Sequence, residues 1–586
     1  MNNSKKSPPF IGEKILRSIT PPHDVEALIG DFEEIFKDLC TRKGRPTALL
    51  WYWTQIILLF PSSIKDSIYW SKEMIKNYMK VALRNIKKSK IYSLVNIFGL
   101  AIGMSCCFLI FLYVQHEFSY DRFHEKSDQI YRITTEWQLE GQAQIHQTTA
   151  APVAPALMND FPEVQNAARV NRTSAIIYHK GQSFVERRVY LVDPSFFDIF
   201  NFPLVRGDPK TALRNPHSII LTEKTAEKYF GTEDPIGKTL TFGKRFSFEI
   251  TGIAENASSN SHLKFDFLVC FDFINEYSNF NYLGSWGAWN FSTYVLLRKD
   301  TSLSDFEEKT VAFIKKYRGE DSANPQRLHL QSLTKINLET HGKLKYIYFF
   351  SAIAIIILIL VCINFMNLSV ARASTRVKEI GMRKVIGANR PQLIKQFLGE
   401  STVMAFLALP LALLLAQIAL PTFNSLLMTQ AQTNYFQNLP FILSIFGITL
   451  LASLISGSYP ALYLSAFQPV KSLKGELKSR RGVLRLRSLL VTFQFCISII
   501  LIISTIAIYH QMKYIQNKNL GFNKDFIVNV PIFEVTLRLK TNYIKSELMQ
   551  NPRISSATIS SFYPGSYPNQ SVDWDGRKED EELMMA

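Results

Sequence analysis

Five apolar stretches, each long enough to cross a bilayer, constrain this chain more than anything else in it. A spanning helix needs roughly 20 predominantly apolar residues, and segments 92–114, 346–369, 401–424, 440–464 and 488–509 meet that length. Residues 116–344 separate the first two spans and carry a different pattern, with alternating strands and short helices. The fold expected is therefore an α-helical integral membrane protein with a large mixed α/β extracytoplasmic domain.

Basic residues flank the spans unevenly. Lys72, Lys76, Lys80, Arg84, Lys87, Lys88 and Lys90 precede the first span, Arg372 to Lys395 join the second to the third, and Lys471 to Arg487 join the fourth to the fifth. If all five spans cross, these clusters share one side, which the positive-inside rule makes cytoplasmic. The chain is then a multi-pass protein of the cytoplasmic (inner) membrane, with its N-terminus inside and 116–344 and 510–586 outside. Hydrophobic residues make up 47% of the chain and charged ones 20%. The net charge of +17 and pI near 9.4 belong to the ends of apolar spans, not to a patch interleaved with base-reading side chains, so no nucleic-acid partner is expected.

The spans contain no Asp, Glu, Lys, Arg or His; Glu400 sits at the mouth of the third. Proton- and ion-coupled transporters carry such groups inside the membrane, so any work done here draws its energy from elsewhere. Gly99 and Gly103 form a small-xxx-small pair suited to close helix packing. Four of the six cysteines (Cys106, Cys107, Cys362 and Cys496) lie in spans, and Cys270 is alone in the external region, so no disulfide framework is expected. The polar start, Met1 to Lys6, lacks an adjoining apolar core and is not a cleavable signal. Ala48 to Phe60 is too short to span, and Trp51, Tyr52 and Trp53 favour an interfacial helix. Ahead of it, Thr20 is placed to cap a helix with Pro21 at its first position. Val25, Leu28, Phe32, Ile35, Phe36 and Leu39 form that helix's apolar face.

In the external region, Phe246, Phe248 and Ile250 alternate as in a half-buried strand, and Ser218 to Thr222 reads as a strand feeding a helix that Thr222 caps. Phe196, Phe197, Ile199 and Phe202 form an apolar knot between Pro194 and Pro203. Gly231 to Thr239 imitates a phosphate-binding loop, but five residues separate its glycines where that loop needs four. A turn holding Gly237 before a strand is the expectation. His116 and His124 read as surface residues. No metal motif or nucleophile elbow occurs, so neither catalytic residues nor a cofactor or metal site is assigned, and the chain is not expected to be an enzyme.

The segment Ala371 to Phe397 is basic and broken. Glu379 and Arg383 are an i,i+4 pair, Gly387 and Ala388 interrupt the helix, and Asn389, Pro391 and Gln392 resemble the start of another. Leu393, Ile394, Phe397 and Leu398 then lead into the third span. This helix–break–helix elbow suits either a protein partner or anchorage on anionic membrane lipid.

Arg376-Val-Lys-Glu-Ile-Gly-Met-Arg-Lys-Val-Ile-Gly-Ala388 with Gln396-Phe-Leu-Gly-Glu400 resembles the signature of FtsX-like, MacB-type ABC transporter permeases. So does Ala82-Leu-Arg-Asn-Ile-Lys-Lys-Ser-Lys90 leading into Ile97-Phe-Gly-Leu-Ala-Ile-Gly103. Val192-Asp-Pro-Ser-Phe-Phe197 and Asp234-Pro-Ile-Gly-Lys238 resemble that family's external core domain, and Pro21 to Glu34 resembles a permease prefix domain. The resemblance implies a prefix domain over 1–75, a lead helix and first span over 76–115, and a MacB-like core over 116–344. It further implies an FtsX-like domain with three spans and the elbow over 345–470. A second-half lead and fifth span would follow over 471–510, then the start of a second external domain over 511–586.

It also implies a separate cytoplasmic ABC ATPase subunit, gripping an elbow made of Arg376, Lys378, Glu379, Ile380, Gly381, Arg383, Lys384, Gly387 and Ala388. Glu379, Arg383 and Lys384 would face the ATPase, with Gly381 and Gly387 permitting close approach. Movement of the elbow would pass through the membrane stalk, serving export or extraction of an envelope substrate. The assembly expected is a homodimer or a pseudo-dimeric permease, with a periplasmic adaptor among its partners. Alternatives are an FtsX-like signal transmitter that regulates envelope enzymes without transport, and an inactive scaffold. Arg485 to Val491, the fifth span and Tyr509 echo Lys90 to Val95, the first span and Tyr113. A double-length permease is therefore the pattern, and a chain stopping at Ala586 is expected to be truncated.

Overall fold

The computed structural model describes residues 8–19, 25–56, 80, 84, 88–139, 142–277, 280–319, 327–340, 342–371, 373–427, 438–465, 481–518, 526–532, 537 and 539–560. The chain divides into two compact units, one of Met1–Val114 with Tyr346–Gln516, the other of Gln115–Lys345 with Asn517–Ala586.

In the first unit, helices Phe10–Ile19, Val25–Lys43 and 45–56 gather Leu16, Phe32, Phe36, Ala48, Tyr52 and Ile56 into a small core. Tyr52 meets Phe32 and Phe36 edge-on at 5.6 and 5.7 Å. The absent side chain of Gly12 makes room for the Tyr52 ring. Of the aromatic residues expected at an interface, Tyr52 is instead buried in protein, whereas Trp53, with Leu50, faces outward. Ile35 departs from the expected apolar face, being 43% exposed. The Thr20–Pro21 cap and residues 57–60 lie outside the described residues.

Among the described residues, five helices are long and apolar enough to cross a membrane. The first is Lys90–Phe118, the second Lys343–Ala371, the third Arg390–Leu427, the fourth Leu439–Ser465 and the fifth Arg481–Asn517. At 1.5 Å per residue the 38-residue third helix is about 57 Å long, well beyond the ~30 Å hydrocarbon core. The first four share a core in which Met104 and Phe108 meet Cys362, Phe365, Met404 and Phe441. Gly103 lies against Val361, where a Cβ would come within 2.9 Å. Gly99 has nothing within 4 Å of a Cβ, so within this chain the expected pair packs at one glycine alone. The tightest seam joins the third and fourth helices, where Ala405, Ala408 and Ala412 are buried on one and Ala452, Ser453, Ser456 and Gly457 on the other. From Arg487 onward no residue of the fifth helix is buried.

The second unit is built on an eleven-stranded mixed sheet. Its strands are β1 (Ile130–Leu139), β2 (Gln142–His146), β3 (Val164–His179), β4 (Gln182–Val192), β5 (Leu204–Arg206) and β6 (Ser218–Thr222). They continue with β7 (Thr239–Phe242), β8 (Phe246–Ala254), β9 (Phe267–Cys270), β10 (Ser292–Leu297) and β11 (Arg327–Ser332). The order is β11-β1-β10-β3-β4-β9-β6-β8-β5, with β2 on β1, and β7 on β3 and β8. The β4–β9 and β6–β8 pairs are parallel. Alternation divides the central strands between two cores: Val189, Leu191, Ile219, Leu221, Phe267 and Val269 join one, and Tyr190, Val192, Ile220 and Leu268 the other. The knot of Phe196, Ile199 and Phe202 belongs to the second, with Phe197 packed against it.

The family-like motifs are structural joints. Asp193, just past β4, accepts hydrogen bonds from the Arg169 backbone N–H at 2.6 Å and from its guanidinium at 2.6 and 2.9 Å. The same guanidinium lies 4.2 Å above the Phe271 ring. Asp234 accepts from the Ile236 N–H and from Arg206, and Gly237, at φ 76°, turns the chain into β7 as expected. Beside it, Lys238 and Lys180 hold the Glu233 carboxyl down at about 2. Thr222 stands at the expected helix start, but its hydroxyl bonds to the Thr225 side chain and makes no side-chain cap.

Two buried networks tie the root of this unit. Glu117, at the end of the first membrane helix, accepts from Asn337 Nδ2 at 2.7 Å and Lys343 Nζ at 3.0 Å. Asp121, held at φ 58°, lies 2.9 Å from His262 Nδ1, and His262 Nε2 is 2.8 Å from the Tyr294 hydroxyl. His124 is not a surface residue: 2% exposed, it accepts the Asn201 N–H on Nδ1 and packs against Phe200 and Phe202. Burial pulls its imidazole down to about 4. His116 is half-buried, so it too departs from the expected surface placement.

Two outcomes follow. Asp193→Ala leaves the half-buried Arg169 guanidinium with Asp272 at 3.7 Å in place of its hydrogen-bonded carboxylate, and the external unit loses roughly 1–3 kcal/mol, read by pulse proteolysis of the full chain in urea. For His124 the folded state resists protonation that the unfolded chain accepts. Stability is therefore full above about pH 6.5 and falls as pH drops toward 4, by about 3 kcal/mol in total. His124→Asn keeps an acceptor for Asn201 without titrating, and flattens that part of the pH–stability curve.

Candidate functional site

The elbow helix runs Ala373–Val385 and ends in a glycine turn. Gly387 has φ 105°. Its N–H bonds to the Lys384 carbonyl at 3.2 Å, and the Ala388 N–H to the Arg383 carbonyl at 3.0 Å. Those two bonds form the double-hydrogen-bonded C-cap that calls for a residue in left-handed conformation. Nothing lies within 4 Å of a Cβ built on Gly387. Within this chain the glycine is needed for its backbone angle. The Asn389 N–H then bonds to Gln392 Oε1 at 3.1 Å, the glutamine half of the expected capping box, and the third membrane helix begins at Arg390.

Three contacts pin the elbow helix to the membrane helices. Ile380 is buried with Leu393, Phe397, Ala461 and Leu464. Arg383 donates to Glu379 Oε1 at 2.7 Å and also to Gln396 Oε1. Gln396 in turn donates to Glu400 Oε1 at 3.2 Å, so a polar chain reaches from the elbow surface to a carboxylate buried at the mouth of the third helix. Lys384 Nζ donates to the Ser465 carbonyl at 2.6 Å, at the last residue of the fourth helix, where a cation meets the negative end of the helix dipole. Arg390 Nε reaches Ser465 Oγ at 3.4 Å. Partial burial, then the neighbouring Arg390, lowers the Lys384 ammonium from its ordinary range.

The structure therefore sorts the expected residues. Ile380 and Gly381 are buried, so neither presents a surface. Arg383 and Lys384 are half-buried and bonded within the chain, while Glu379 is exposed and Ala388 half-buried. Arg376 and Lys378 sit on the elbow helix, with their side chains outside the described residues. What the sequence reading missed is apolar: Met382, Val385 and Ile386 are 58%, 62% and 81% exposed. The i, i+3, i+4 spacing of these residues was the available signal. Glu379, Gln396 and Ser465 were likewise legible only as members of a motif or a helix end. Among the described residues no cluster of His, Cys, Asp and Glu could hold a metal ion.

Comparison with known proteins places two domains on the chain. The family described as MacB-like periplasmic core domain matches residues 93–313, and that described as FtsX-like permease C-terminal matches 351–469. The macrolide export ATP-binding/permease protein MacB of Mannheimia succiniciproducens is 26% identical over 321 residues, covering 53% of this chain and 47% of that protein. The MacB of Bdellovibrio bacteriovorus is 36% identical over 128 residues, covering 22% of this chain and 19% of that protein. The chain thus spans less than half the length of these relatives. Among solved structures, a permease-protein domain from Porphyromonas gingivalis is similar at 22% identity and a TM-score of 0.31, covering 35% of this chain and 91% of that one. The periplasmic region of MacB from Actinobacillus actinomycetemcomitans is similar at 16% and 0.28, covering 37% and 94%.

Gly387→Ala forces a side chain into the left-handed turn and destabilises the elbow by about 1–2 kcal/mol, while Gly387→Asn costs less. Limited proteolysis within 385–390 reads both, with faster cleavage for the alanine variant.

Proposed function

Because the chain belongs to the MacB-like, FtsX-like permeases of ABC transporters, we propose that it is the membrane subunit that passes ATP-driven motion to its external domain. The energy would come from a cytoplasmic ABC ATPase supplied as a separate subunit. The relatives whose names read ATP-binding/permease combine the two functions, whereas these 586 residues contain no phosphate-binding loop of the required spacing. The load moved would be an envelope substrate, exported or extracted by a homodimer or pseudo-dimer in the inner membrane, with the N-terminus and elbow on the cytoplasmic side.

One observation carries this reading. The elbow is pinned at Ile380, Arg383 and Lys384 to the third and fourth membrane helices, yet its outer face, Met382, Val385 and Ile386, is apolar and uncovered. A lever needs both properties: rigid attachment to what it moves, and a surface for whatever moves it. An isolated exposed apolar side chain needs no explanation, but three together at the end of a pinned helix and its turn mark a docking point. In this reading the grip is apolar at its centre, with Glu379 at the rim. Arg383 and Lys384 set the position of the elbow instead of contacting the ATPase directly.

A photocrosslinking residue at position 386 in the full chain, expressed in its native host, tests the assignment. The expected adduct, identified by mass spectrometry, is a protein bearing a phosphate-binding loop, and Met382→Asp reduces its yield at least about tenfold. Adducts confined to lipid, or an ATPase adduct of undiminished yield in the Met382→Asp variant, would overturn the elbow assignment.

A further inference from the structure

We propose that the root of the external unit holds the phosphate group of a lipid headgroup between the ammonium groups of Lys264 and Lys343, over the ring of Tyr120. Lys264 Nζ lies 5.9 Å and Lys343 Nζ 5.3 Å from the centroid of that ring. Both ammonium groups thus lie against one aromatic ring, and each repels the other unless an anion joins them.

The donor count identifies what is missing. An ammonium has three N–H donors. Lys343 directs two of them to Glu117 Oε2 and Asn337 Oδ1, at 3.0 and 3.1 Å, which leaves one. Lys264 is half-buried, and its ammonium takes part in no ion pair or hydrogen bond among the described residues. The nearby acids are already engaged: Glu117 by Lys343 and Asn337, Asp121 by His262 and Ser261. Burial first, then Arg188 and Lys343, lowers the Lys264 ammonium, against the opposing pull of Glu117 and Asp121. A half-buried charge without a partner is costly. A phosphate group would accept the free donors of both lysines and remove that cost.

Chain position selects the source of the phosphate. Lys343 is the first residue of the second membrane helix, and Tyr120 follows the end of the first by two residues. Both therefore stand at the depth of lipid headgroups. Phe118 and Phe123, in the same turn, are 40% and 38% exposed and offer apolar surface to an acyl chain. A free phosphate ion would have no use for them. This inference does not depend on the ATPase reading.

The test uses the full chain purified in detergent and unfolded by heat with added dioleoylphosphatidylglycerol, with phosphate-free monoolein, or with inorganic phosphate. Phosphatidylglycerol alone is expected to raise the midpoint, by about 2–4 °C. Lys264→Gln abolishes the rise. Lys264→Arg keeps it, and so does Lys126→Gln, which removes an exposed positive charge at the same end of the unit. An equal rise with monoolein, or in Lys264→Gln, overturns the proposal. A rise with inorganic phosphate but not with the lipid overturns the lipid assignment. If Lys264→Gln does not fold, native mass spectrometry of the wild-type and Lys264→Arg chains decides. Retained phospholipid on both is expected, and its absence from both refutes the site.

Discussion

The close approach of the third and fourth membrane helices is the constraint on which the rest of the membrane unit depends. A side chain on Gly457 would meet Ser401 at 2.8 Å, and Thr402 bonds to Ser453 across the same seam. In lipid there is no hydrophobic driving force between helices, so attraction comes from packing density and interhelical hydrogen bonds. Small residues on both sides supply the first, and their hydroxyls the second. At its end this seam brings Leu393 and Phe397 beside Ala461 and Leu464, which is where Ile380 enters. The elbow is held because these two helices are held.

The external unit solves a different problem. Its large sheet presents two apolar faces and covers both, so its centre is specified by alternation and burial. Its periphery is specified by buried charge. Arg169 with Asp193, and Glu117 with Lys343, are pairs whose members are each partnered more than once. Buried ion pairs add little net stability over apolar packing, but breaking one is expensive. Such pairs are therefore better understood as fixing geometry: the first closes the β3–β4 end, and the second links the end of one membrane helix to the start of the next.

Much of this was legible in the sequence, for reasons that differ by element. Helices in the bilayer must satisfy their own backbone groups, so length and hydropathy alone locate five of them. The strand at Phe246 to Ile250 and the knot at Phe196 were readable because alternation and proline boundaries are local signals. The elbow's break was readable at Gly387, where one backbone angle demands glycine. His124 was misjudged because nothing local announces burial; Phe200 and Phe202, which enclose it, arrive from far along the chain. Tyr52 was misjudged for a related reason. An aromatic cluster has the same composition whether it meets lipid headgroups or another helix.

The charges of the elbow illustrate the division best. Sequence by itself determined that this segment is a basic helix, a turn and a second helix, because propensity, capping and the glycine angle act over a few residues. Only the tertiary structure decided which side chains face where. Arg383 and Lys384 turn inward because an amide and a helix end, 13 and 81 residues further on, offer acceptors there. Met382, Val385 and Ile386 remain outside because the helix face toward the bundle is already taken by Ile380. The local code specifies the shape of the lever; packing against distant residues decides which of its faces is free.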